Sequence, residues 1–77
     1  MNRDEATRQS RAIMQMLKER RKALGWSQQR VADLMGVQQS SISTWEGGLS
    51  SPTLIFLLQY ADALGMKVKV LEKLITY

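Results

Sequence analysis

Six side chains between Val37 and Trp45 carry an amide or a hydroxyl and no charge: Gln38, Gln39, Ser40, Ser41, Ser43 and Thr44. A glutamine amide donates and accepts a hydrogen bond at once, and a serine hydroxyl does either. The chemistry open to such a cluster is recognition by hydrogen bonding. Taken alone, residues 38–41 also read as a solvated polar face. Covalent and proton-transfer chemistry has little to work with elsewhere, because the chain has no histidine and no cysteine. There is no nucleophile–imidazole pair, no imidazole or thiolate metal site, no disulfide and no group titrating near neutrality. The expectation is a protein that is not an enzyme and holds no metal or cofactor.

The net charge is +4, and its placement says more than its size. Arg3, Arg8, Arg11, Lys18, Arg20, Arg21 and Lys22 face only Asp4, Glu5 and Glu19 within residues 1–24, which accounts for all of it. From residue 25 onward four cations balance four carboxylates. A basic N-terminal segment suits a polyanionic partner, and equally a solvated helix face.

The elements that must hold these groups fit one domain, since 77 residues allow no more. With 44% hydrophobic residues a core is available, although a chain this short buries only about 60% of its unfolded surface and needs tight packing or a partner. The longest apolar run, residues 54–58, is far below the roughly 20 residues of a membrane span. The N-terminus is polar, unlike a signal peptide. A cytoplasmic location, with no membrane partner, is expected.

Ile13, Met16, Leu17, Arg20/Arg21 and Leu24 follow helical rhythm, so a first helix begins between residues 4 and 10 and runs to about 24, stopped by Gly25. Ser27 caps a second helix with Val31, Leu34 and Met35 on its buried face, ended by Gly36. A third runs from Gln38 or Gln39 to Glu46 with Ile42 and Trp45 inward. After the loop at residues 47–52, Pro52 suits the first turn of a fourth helix over residues 53–64, with Leu54, Leu57, Leu58, Ala61 and Leu64 on one face. Met14, Met16, Met35 and Met66 read as core filler, and Trp26 and Trp45 as core. The tail then changes period. Lys67-Val68-Lys69-Val70 alternates as a strand, and a lone strand needs a ladder partner. The same strand of a second copy is the expected one, with Val68 and Val70 as dimerisation residues.

Val31, Ala32, Met35, Gly36, Val37, Ile42 and Trp45 have the spacing of a helix-turn-helix, which leaves one face of its second helix free for a DNA major groove. Leu24-Gly25-Trp26-Ser27-Gln28, Val31-Ala32, Met35-Gly36-Val37, Gln39-Ser40-Ser41-Ile42-Ser43, Trp45-Glu46, Gly48, Pro52 and Ala63-Leu64-Gly65 together resemble the Cro and lambda-repressor type (XRE) helix-turn-helix family over residues 11–66. The Gly-Trp-Ser-Gln opening and the strand after the fourth helix are also similar to HipB-like and HigA-like antitoxins. The resemblance implies an all-α, four- to five-helix repressor-type bundle. Residues 1–10 extend the first helix, residues 11–66 form the DNA-binding domain, and residues 67–77 form a C-terminal β-strand and tail paired across a homodimer.

The resemblance also implies roles. Gln39 and Ser40 match the principal base-reading positions, with Gln38 before them and Ser43 and Thr44 one turn on. Gln28 matches a glutamine that bonds a phosphate and braces the reading helix, with Ser27 and Ser41 beside it. Arg21 and Glu46 match a buried structural pair. A glutamine suits adenine N6/N7 in the major groove. The family often places arginine or lysine in the loop after the third helix, but here residues 37–51 hold one charge, Glu46. Backbone N–H groups of the glycine-rich loop, or Arg20, Lys22 and Arg11 of the first helix, are the expected substitutes. The implied function is a sequence-specific repressor of bacterial or phage origin that binds double-stranded DNA. A toxin protein is a further partner if the chain is an antitoxin, and the alternative is a stand-alone regulator.

Overall fold

In the computed structural model, which describes residues 1–66, four helices follow one another: α1 (Arg3–Ala23), α2 (Gln28–Met35), α3 (Gln39–Glu46) and α4 (Leu54–Ala63). The expected strand, with Val68 and Val70, lies outside the described residues.

Local chemistry sets the boundaries. Asn2 caps α1 by accepting from the Glu5 N–H at 2.8 Å, Ser27 caps α2 from Arg30 at 3.1 Å, and Thr53 caps α4 from Phe56 at 3.3 Å. Each such cap contributes about 1 kcal/mol. Gln38 precedes α3 with no side-chain cap. In α1 the acidic residues stand in the first turn and Arg20, Arg21 and Lys22 in the last, opposing the helix dipole at both ends. All four helices close alike. A glycine (Gly25, Gly36, Gly48 or Gly65) turns left-handed at φ between 70° and 75°. The next N–H then reaches back to a free carbonyl: Trp26 to Arg21, Val37 to Ala32, Leu49 to Thr44 and Met66 to Ala61, at 2.9–3.1 Å. A Cβ is disfavoured in that conformation, which is why glycine holds these positions.

The core joins Met14 and Leu17 of α1, Val31 and Ala32 of α2, Ile42 and Trp45 of α3, and Tyr60, Ala61 and Leu64 around α4. Trp45 meets the Phe56 ring at 5.3 Å between centroids. Here α2 packs on α3 and α4, and α1 packs on α3. Trp26, Met35, Val37 and Met66 line the core's edge.

Several expected faces rotate. On α1 the buried stripe is Met14, Leu17 and Arg21, whereas Ile13 and Met16 are exposed. The stripe shifts because Arg21 finds a partner inside. On α2, Val31 and Ala32 are wholly buried, whereas Leu34, expected inward, is exposed. On α4, Leu54 and Leu58 are exposed and Tyr60 is wholly buried. Pro52 stands before the Thr53 cap rather than inside the first turn.

Candidate functional site

One carboxylate ties the four helices together. Glu46, the last residue of α3, is buried, and its Oε1 accepts from Arg21 Nη2 at 2.8 Å and Gln28 Nε2 at 3.1 Å. Its Oε2 accepts from Arg21 Nε at 2.9 Å and from the Tyr60 hydroxyl. The remaining Arg21 arm donates to the Trp26 carbonyl at 2.7 Å. Among the described residues no buried side-chain polar atom lacks a partner.

Burial pushes the Glu46 carboxyl up, but donors from Arg21, Tyr60 and Gln28 outweigh it and hold the group below its ordinary value. The hydrogen bond to Glu46 raises Arg21 above its ordinary value. Burial, then the bond to Glu46, keeps Tyr60 protonated.

That fixed charge sets the polarity of a chain of amides. A carboxylate only accepts, so Gln28 must turn its NH2 toward Glu46 and its carbonyl oxygen away. The Gln28 Oε1 accepts from Gln39 Nε2 at the start of α3. Gln39, half-buried at the start of α3, therefore keeps its own Oε1 and one N–H unspent, side by side on one amide. This is the donor–acceptor pair that an adenine edge complements. Gln28 likewise retains one N–H.

The other residues singled out by sequence sit around this pair. Gln38, Ser40 and Ser43 are exposed, and Ser41 and Thr44 are half-buried. Ser40 lies 3.5 Å from the Gln38 amide oxygen. Ser27 is exposed at the start of α2, and its Oγ is engaged as a cap. Arg20 and Lys22 are exposed in the last turn of α1. Two participants were not anticipated. Tyr60 lies three residues after Leu57 and four before Leu64, a helical spacing that marks it as inward-facing. Arg30 stacks its guanidinium over the Trp26 ring at 4.3 Å.

The loop after α3 spends its first three backbone donors on closing that helix, whereas the N–H groups of Ser50 and Ser51 make no such bond. The N–H groups of Gly47, Gly48 and Leu49 bond the Ser43, Trp45 and Thr44 carbonyls. Among the described residues no group of three histidine, cysteine or acidic side chains converges as a metal site, and no helix is long and apolar enough to cross a membrane.

A helix-turn-helix family model matches residues 17–71. No curated protein and no solved structure matches the chain.

Proposed function

The chain belongs to the helix-turn-helix family of DNA-binding domains, and we propose that it is a transcriptional repressor whose homodimer reads a palindromic operator with α3 in the major groove. The observation that carries this reading is the oriented amide of Gln39, backed by Gln28 and a charge buried behind it. A base-reading side chain discriminates only if its donor and acceptor cannot exchange places. In this reading Gln39 and Ser40 are the principal base contacts, with Gln38, Ser43 and Thr44 around them. Gln28, Ser27, Ser41, Arg20 and Lys22 address phosphates. The role is binding rather than catalysis.

The test is an operator selected from a randomised duplex pool, followed by titration of every single-base variant. Gln39→Ala costs on the order of 1–3 kcal/mol on that operator and flattens preference at one base position. An unchanged preference profile would remove Gln39 from the reading face.

The dimer rests on residues 67–71, whose alternation suits a ladder with a second copy. The apolar surface left open by Leu54, Ile55 and Leu58 of α4 and by Leu34 of α2 supports a protein partner there. Two copies so joined set their reading helices one DNA turn, about 34 Å, apart. Proline at Val68 or Val70 removes a ladder donor. Sedimentation at micromolar concentration then reports a monomer, and operator affinity falls steeply. A chain ending at Gly65 that stays dimeric and binds the operator as before assigns the tail to another partner, such as the toxin of the antitoxin reading.

A further inference from the structure

We propose that Arg11 binds a DNA backbone phosphate at the loop between α3 and α4, a contact made by the part of α1 that precedes the family match. The inference rests on the DNA-binding reading above and singles out Arg11 from the cations of the first helix named by sequence, although it precedes the matched region.

A helix of 10–12 Å diameter fills a major groove about 12 Å wide, so phosphates on both sides press against whatever flanks α3. On one side that neighbour is the loop that begins directly after Glu46. It carries no charge through Thr53. Its first three N–H groups close the helix, and Pro52 has none to give. A phosphate arriving there finds neutral donors at Ser50 and Ser51 but no cation in the loop itself.

The missing cation comes from α1. The Arg11 side chain lies across the bare backbone of Gly48, with its Nε 3.5 Å from where a Cβ on that glycine would stand. One residue earlier, the Ser10 hydroxyl bonds the Ser51 hydroxyl at 3.1 Å. Two consecutive residues of α1 thus hold the loop, one at each end. Among the described residues no carboxylate pairs with Arg11, and nearby Glu46 is already bound by Arg21. Arg11 is exposed, and its planar guanidinium presents paired N–H groups that match two phosphate oxygens. Helix α1 begins at Arg3, whereas the family match begins at residue 17. The extra turns are what carry Arg11 to the loop.

The experiment measures binding of the full chain to a random-sequence 20-bp duplex and to the selected operator between 50 and 200 mM salt. Four variants are compared: Arg11→Gln, Arg11→Lys, Arg3→Gln and Gln39→Ala. Arg3 makes the same charge change about 12 Å further along the helix. Arg11→Gln should weaken both duplexes several-fold and reduce the slope of log K against log salt by about 0.9, the signature of one lost phosphate contact. Arg11→Lys should restore most of the slope, and Arg3→Gln should leave it near wild type. Thermal stability should change little in the three arginine variants, since both arginines are exposed. A wild-type slope in Arg11→Gln, or an equal loss in Arg3→Gln, overturns the proposal. In that event a flattened base preference in Gln39→Ala still upholds the DNA-binding reading. A wild-type chain that binds neither duplex overturns both.

Discussion

Arg21→Ala lowers the stability of the folded chain by about 3–5 kcal/mol, enough to unfold most of a small domain at moderate temperature. The magnitude follows from what is left behind. Glu46 is 8% exposed and loses both of its charged hydrogen bonds, while the Trp26 carbonyl loses its donor. Only Tyr60 and Gln28 remain to offset a buried carboxylate. The intact pair itself adds little beyond what apolar residues of equal volume would supply, so the effect is one of stranding rather than of a lost attraction. Glu46→Gln strands the guanidinium instead and lets the Gln28 amide turn either way. It should therefore both destabilise the fold and blur base preference at the Gln39 position. The pH dependence has a definite sign. Because the folded chain holds the Glu46 carboxyl below its ordinary value of 4.5, its contribution is complete above that value and disappears as pH falls through the lower, folded-state value. Denaturant unfolding of wild type, Arg21→Ala and Glu46→Gln across that acid range measures both effects. A loss below about 1 kcal/mol in Arg21→Ala, or an acid slope unchanged in Glu46→Gln, would contradict this account.

The same ion pair explains where sequence reading succeeds and where it stops. The turn from Gly36 to Gln38 and the inward pair Ile42 and Trp45 are legible because their signals are local: a cap at Ser27, a left-handed glycine, and apolar residues three apart. The face of α1 is not local. On hydropathy alone Ile13 and Met16 outrank Arg21, whose burial is favourable only because of a partner 25 residues away, a pair that the family resemblance implies and helical rhythm does not. Tyr60 escapes for a related reason. An apolar stripe drawn through Leu54 and Leu58 omits a residue whose ring is core-like and whose hydroxyl requires an acceptor. Of the candidate site, residue types at positions 28, 39 and 46 are visible in sequence. The direction of the amide chain joining them depends on Glu46 being an acceptor, which spacing cannot express. Nor can spacing show that the loop spends its first three N–H groups on closing α3, or that Arg11 crosses to Gly48.

Ile42→Ala separates the structural side of α3 from its reading side. With only eight residues, α3 is below the roughly 12–15 needed for a helix to persist alone in water, and it lacks a side-chain cap. Its position is therefore set by what it buries. Ile42 is wholly inaccessible, and Trp45 stands one turn further on the same side against Phe56. Truncation to alanine removes three carbons from a packed site and costs about 2–5 kcal/mol, depending on how far the neighbours close the gap. For a domain of this size each kcal/mol lowers the melting temperature by about 4–8 °C. Ile42→Val, which removes one carbon, costs about 0.5–1.5 kcal/mol. Gln39, Ser40 and Ser43 lie off the buried side and keep their own contacts. Below the lowered melting temperature, Ile42→Ala should thus rank single-base operator variants in the wild-type order, with weaker binding overall because α3 is less firmly seated. Calorimetry and the duplex titration test the two halves of the expectation on one protein. A variant with wild-type melting and an altered base ranking would mean that the two faces of α3 are exchanged, and that Ile42 rather than Gln39 points toward the DNA.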